Sequence, residues 1–365
     1  LFLLCSLLII LFFHYKWIPV IFFGIVGLEV SINLLASLDN ISYQKNFDYA
    51  NFTSNVSQTT TYLHKYDSGL YRTEKTFTRS DDDPFSNNYY GVSNFNSISD
   101  RAAINLVDYL GLENNDNSFT NNFATPLSDS LLGIKYNIVP IKNRRNLPKK
   151  EQVVFTSAFY RPDLVTNTVV KSFKQLQIRK NSSALPLIFI SNTHQKLTFY
   201  NSMPATNQNN LFNSIVGQKH NLFNSLYLTN PSKLKNTKHT KNLNEYKKIN
   251  KNKTATITFN IASFQKGPYY LELPSNLTTN VTSIIVHNHQ LNNDDLGISS
   301  KLLNIGYYST NTPIKIVFTL NTENINLNGI RVLQFREDEF NKIIRKFNQK
   351  QPVTHQTSPI SLKLN

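Results

Sequence analysis

The stretch NYYGVSNFNS, residues 88–97, packs hydrogen-bonding groups and rings closely together. Ser93, Asn94, Asn96 and Ser97 offer hydroxyls and amides, and Gly91 permits a tight turn between them. Tyr90 and Phe95 either stack on a ligand or anchor the loop. Three other groupings hold ionisable residues. Asp81, Asp82 and Asp83 precede Pro84; they could hold a divalent cation, or simply form a solvated turn. His287 and His289 would share one face of a strand, with Asp294 and Asp295 nearby, which is half a zinc site. Glu29 and Asn33 lie one helical turn apart in an apolar run, where a polar pair marks either a bundle interior or a helix–helix contact. The sequence has no Ser-His-Asp order, P-loop or dinucleotide fingerprint. Taken alone, these residues describe only a membrane-anchored outer-surface module.

The elements that would position them begin with the membrane. Residues 1–13, LFLLCSLLIILFF, are apolar but too short to span, and read as the outer end of a helix cut at Leu1. From Trp17 to Ser37 a second apolar run, at about 1.5 Å per residue, covers one hydrocarbon core. Tyr15 and Trp17 suit an interfacial belt, and Lys16 places the turn between the runs in the cytoplasm. The expected fold is therefore a partial transmembrane hairpin, then an extracellular α/β domain, then an all-β sandwich-like domain. The divisions fall at 1–38 for the last transmembrane helices and 39–229 for the α/β domain. A Lys-rich linker follows at 230–253, and the sandwich with a terminal helix occupies 254–365, truncated at its end.

In the α/β part, strands are expected at 69–77, 134–139, 151–157 and 185–190. Helices are expected at 54–68, 126–133 and 207–216, with another at 100–110 capped by Ser99 and stopped by Gly111. The linker, NPSKLKNTKHTKNLNEYKKINKNKT, reads as a solvated tether that also attracts anionic headgroups or teichoic phosphates. Beyond it, alternating runs at 254–262, 269–274, 282–288 and 313–320 read as strands, and 336–349 as an amphipathic helix. The ending PISLKLN looks like a strand cut short.

The net charge is +15, which favours polyanions. No zinc-finger spacing or aromatic RNP string accompanies it, so nucleic acid is not the expected partner. The bilayer, an anionic envelope polymer and an upstream transmembrane bundle are. Cys5 is the one cysteine, so no intrachain disulfide can form. A disulfide-free outer domain suits a Gram-positive envelope.

The succession YRTEKTF, YYGVSNFNS, LG at 110–111 and LSDSLLGIKY at 127–136 resembles the YfhO family. ALPLIFIS at 184–191, NQNNLFNSIVG at 207–217 and LEVSIN at 28–33 fit the same pattern in order. Ile188 departs from it, standing where the family pattern has a glycine, and the Lys-rich linker is longer and more polar. The resemblance implies a multispanning bacterial membrane protein and a GT-C-type glycosyltransferase. Such an enzyme moves a sugar from an undecaprenyl-phosphate carrier to an envelope polymer such as lipoteichoic acid. It also implies that an acidic residue acting as base or metal ligand lies on an early outer loop upstream of Leu1. Arg72, Tyr90, Gly91, Ser93, Phe95 and Ser97 are then candidate acceptor contacts. The resemblance implies a polyprenyl-phosphate sugar donor, no cofactor within this stretch, and leaves a divalent metal open. The competing expectation is a non-catalytic, membrane-anchored surface protein that binds envelope glycans or assembles partners.

Overall fold

The computed structural model describes residues 15–39, 41, 45–141, 146–148, 151–155, 157–191, 197–228, 230–242, 244–278, 280–287, 289–291 and 301–351. The chain divides into two units, Leu1–Ala50 and Asn51–Asn365.

In the first unit a helix runs from Ile18 to Asp39. Its portion Pro19–Asp39 is long and apolar enough to cross a membrane, with mean hydropathy 2.0 and no residue of it fully buried among the described residues. A helix apolar all round suits a core or lipid rather than water. Pro19 sits in its first turn, where a missing N–H leaves no bond unmade. Glu29 and Asn33 fall one turn apart on this helix, as their spacing dictates. The first apolar run, residues 1–13, lies outside the described residues.

The second unit is β-rich, with several sheets. Its first sheet orders Arg72–Lys75, Ile134–Pro140, Leu176–Lys180 and Thr168–Ser172, and only the first pair is parallel. The helix Asn46–Tyr66 buries Phe52, Val56 and Leu63, spaced at helical intervals. These meet Ile138, Leu176 and Ile178 of that sheet.

A four-stranded sheet orders Lys301–Tyr308, Gly267–Leu273, Arg331–Phe335 and Phe223–Tyr227. Both its faces are covered, which explains why Gly267–Leu273 is buried along its whole length. Tyr269, Leu271, Leu303 and Val332 face a core shared with a five-stranded sheet that carries Ile257, Ile316 and Phe318. The alternate residues Tyr270, Leu302 and Leu333 face the helices Pro204–Val216 and Glu337–Gln349, whose Phe212 and Phe340 rings lie 5.5 Å apart. A strand buried on both sides needs no alternation of polar and apolar residues.

The stretch 230–253 differs from the expected tether. Lys233–Lys235 joins the five-stranded sheet, and Thr237–His239 pairs with Glu245–Lys248, which pairs in turn with Asn324–Asn326. The lysines alternate with inward residues, Thr237 and Tyr246 being buried, so lysine density concealed a period of two. The α/β and β portions are also not separate bodies, because helix Pro204–Val216 and strand Phe223–Tyr227 pack into the second core. Residues 151–157 and 185–190 are not the strands expected: only Ser157–Ala158 pairs, and Leu185 enters a core from irregular chain. The terminal run 359–365 lies outside the described residues.

Buried charges join distant segments of the second unit. Arg161, at the N-cap of the 3-10 turn Pro162–Thr166, donates to Asp163 at 2.7–3.1 Å and to Asp129 at 2.7 Å. Asn304, from the strand Lys301–Tyr308, donates to the same Asp163 at 2.6 Å. Burial opposes the charge on Arg161, but the two carboxylates outweigh it and hold the guanidinium above its ordinary pKa. Glu272, paired with Arg331, accepts from Ala205 N at 3.1 Å and so supplies an anion to the N-terminus of Pro204–Val216. Lys301, 1 % exposed, donates to Leu112 O at 2.8 Å, and burial lowers its ammonium to about 8.

Replacing Arg161 leaves two buried carboxylates without a counter-charge. Arg161→Met in the full chain should lower unfolding stability by about 3–5 kcal/mol. Denaturant unfolding followed by circular dichroism measures this, and a near-neutral change would show that the cluster adds no net stability.

Candidate functional site

A cavity of about 410 Å³ gathers four of the six expected contact residues: Arg72, Tyr90, Gly91 and Ser93. Phe95 and Ser97 are not among its lining residues, whereas Phe85, which sequence reasoning passed over, is. Leu106 and Val107 from the helix Arg101–Tyr109 form an apolar wall.

The loop 89–93 runs beside the strand Arg72–Lys75, tied by Thr73 N donating to Tyr90 O at 2.8 Å. Along that strand, successive side chains turn to opposite sides. Glu74 reaches the loop: its carboxylate accepts from Val92 N, from Ser93 N at 2.8 Å and from Ser93 Oγ at 3.3 Å. Lys75 turns the other way, donating to the Tyr89 hydroxyl at 2.6 Å and pairing with Asp83 at 3.3 Å. Glu74 and Lys75 are both buried, at 2 % and 5 % exposure. Burial pushes the Glu74 carboxyl up, against the pull of Lys75 and the loop N–H groups. Burial pulls the Lys75 ammonium down, against Asp83 and Glu74.

This geometry corrects the expected role of Gly91. Its backbone is not in the left-handed region. Instead, a Cβ there would stand 2.5 Å from Pro84 Cγ and 3.0 Å from Glu74 Oε1. Glycine is required because the chain passes too close to Pro84 and Glu74 for any side chain. Ser93 is likewise occupied, since its Oγ bonds Glu74 and accepts from Asn121 N at 3.3 Å. Asn121 donates in turn to Asp129 at 3.1 Å, so the loop connects through buried polar groups to Arg161.

Among the groups left for a ligand are Arg72, Tyr90 and Phe85. Arg72 Nη1 donates to Leu132 O at 2.7 Å, at the C-terminal end of the helix Pro126–Leu131, which leaves its other N–H groups for the cavity. Tyr90 is 70 % exposed and Phe85 77 %. Two solvent-facing rings beside a guanidinium can hold a ligand with an anionic group and a ring or chain of C–H bonds.

The remaining candidates are dispersed. Phe95 N donates to Asp82 at 2.8 Å, and its exposed ring is not among the cavity's lining residues. The three aspartates diverge: Asp82 meets Phe95, Asp83 meets Lys75, and Asp81, raised chiefly by burial, interacts with Ser118. No group of three metal-binding side chains occurs among the described residues. His287 sits in a left-handed turn after Val281–Val286 and its ring faces Tyr308, while His289 lies on the next strand against Tyr160. They do not share one strand face, because the chain reverses between them. Asp294 and Asp295 lie outside the described residues. Asp100, not Ser99, caps the helix Arg101–Tyr109 by accepting from Ala102 N at 3.0 Å. Gly111, at φ +78°, ends that helix as its sequence position implies.

A family model described as bacterial membrane protein YfhO matches residues 1–365. No curated protein and no solved structure matches the chain.

The close approach at Gly91 predicts a specific rescue. Gly91→Ala should cost about 1–3 kcal/mol through overpacking against the Pro84 ring. Adding Pro84→Ala should recover part of that loss in the same thermal unfolding assay. Equal stability of Gly91→Ala and the parent would show that the approach is not enforced.

Proposed function

The chain belongs to the YfhO family of bacterial membrane proteins, and from that premise we propose that it forms the acceptor-binding outer part of a GT-C-type glycosyltransferase. In this reading the helix Ile18–Asp39 crosses the bilayer as one of several spans, with Lys16 at its cytoplasmic end. Residues 40–365 then stand on the extracellular side.

The observation that carries the reading is the chemistry of the 410 Å³ cavity. It combines one guanidinium, two exposed rings and an apolar wall, and no carboxylate or imidazole is among its lining residues. Such a set holds and orients a ligand but has no general base for a sugar hydroxyl. Arg72 suits a phosphate of an envelope polymer such as lipoteichoic acid, and Tyr90 and Phe85 suit the C–H faces beside it. The net charge of +15 raises the local concentration of such a polyanion. The sugar itself arrives on a polyprenyl-phosphate carrier. Glu74, Ser93 and Gly91 fix the loop on which Tyr90 is carried, and rigid placement matters because a displacement of about 1 Å can cost two orders of magnitude in rate. The absence of a base among the lining residues also favours a second reading, in which the chain binds envelope polymer without taking part in transfer.

Arg72→Gln combined with Tyr90→Ala tests the proposal in cells whose envelope glycosylation depends on the protein. The sugar content of purified teichoic acid should fall by roughly ten- to a hundredfold, with the protein's membrane level near normal. Normal sugar content would remove the cavity from the mechanism. Weakened polymer binding with unchanged sugar content would establish the second reading.

A further inference from the structure

A larger cleft, about 690 Å³, opens elsewhere on the second unit between the helix Arg101–Tyr109, the loop 114–116 and the segment 200–204. Its size lies within the range of clefts that take small organic ligands, about 300–1,000 Å³. We infer that this cleft binds a short neutral oligosaccharide, at a site distinct from the cavity of Arg72 and Tyr90.

The frame of the cleft is built rather than incidental. Asn207 is 1 % exposed, and its side chain ties the two aromatic walls together. Its Nδ2 donates to Tyr109 O at 3.0 Å and to Tyr200 O at 2.8 Å, while its Oδ1 accepts from Tyr200 N at 2.7 Å. Gly111 lets the end of the first helix approach Pro204, where a Cβ would stand 2.6 Å from the proline ring. Tyr109 is held flat against Phe199, centroids 5.0 Å apart and planes within 6°.

Within that frame stand groups with unused bonding capacity. The side chains of Asn105 and Asn201 make no hydrogen bond among the described residues, and both are exposed to the cleft. Planar amides pair a donor with an acceptor, which matches the vicinal hydroxyls of a pyranose. Tyr200, 48 % exposed, offers a ring for the sugar's C–H face.

Charge decides against an anionic ligand. Asp108 and Asp116 face one guanidinium, Arg101, which lies 3.6 Å from Asp116. In a chain of net charge +15, the residues lining this cleft carry two carboxylates against one guanidinium, with the buried Lys301 near Asp108. A phosphate polymer would be repelled there, and Arg101 at the rim opposes a bare cation. A neutral polyol meets neither penalty. The inference does not depend on a transfer reaction, and its variants leave Arg72 and Tyr90 intact, so the two readings fail separately.

The test uses the full chain in lipid nanodiscs, with gentiobiose, maltotriose and N,N′-diacetylchitobiose as probes in saturation-transfer NMR titrations. At least one should bind, and Asn105→Ala with Asn201→Ala should weaken it by roughly tenfold or more. Tyr200→Ala, an independent surface change, should weaken it similarly. An sn-glycerol-3-phosphate oligomer should not compete. Failure of all three sugars to bind, binding unchanged in both variants, or competition by the phosphate oligomer would overturn the inference.

Discussion

Arg161 is buried between two carboxylates, and much of the second unit is arranged so that this charge is never left alone. The guanidinium meets Asp129 from the helix Pro126–Leu131 and Asp163 from the adjoining 3-10 turn. Asn304 brings the C-terminal β-region to the same point. Desolvating three charges is expensive unless every partner is in place, so the cluster specifies how these segments meet. Its reach extends further, from Asp129 to Asn121, from Asn121 to Ser93, and from Ser93 to Glu74. A continuous, largely buried polar path thus runs from the strand Lys301–Tyr308 to the loop that lines the candidate site.

That path accounts for a loop that looked like a ligand contact throughout. Gly91 and Ser93 are committed to Pro84, Glu74 and Asn121, and this commitment presents Tyr90 outward beside Arg72. The division of labour is physical. Residues with their hydrogen bonds filled hold the backbone, and those with exposed rings or remaining donors are available to a ligand. The second cleft follows the same rule, with Asn207 filled and buried while Asn105 and Asn201 face solvent.

The long apolar helix and several strands were legible because their signals are local. Ile18–Asp39 follows from an unbroken apolar run, and Pro313–Leu320 from strict alternation. Lys301–Tyr308 was missed because it is buried on nearly its whole length and shows no alternation. The strands at 233–248 were missed because one inward residue among lysines is a weak signal. Leu185 to Ile190 misled in the opposite direction: an apolar run interrupted by Pro186 enters a core without pairing. The resemblance located the loop and the family, but nothing in the sequence joins Glu74 to residues 92–93 or Arg161 to Asp129. Those partners are far apart along the chain, and only the folded sheet order brings them together. Phe85 could have been noticed as an aromatic directly after the Asp-Pro turn, within a few residues of Tyr90.

The most direct measurement of the central claim is a double-mutant cycle between the two ends of the polar path. Glu74→Gln and Asp163→Asn would be made singly and together, and unfolding free energies measured on the full chain in detergent. If the buried groups act as one network, the double mutant should depart from additivity by about 0.5 kcal/mol or more. Additivity within about 0.3 kcal/mol would mean two independent clusters, and would contradict the account.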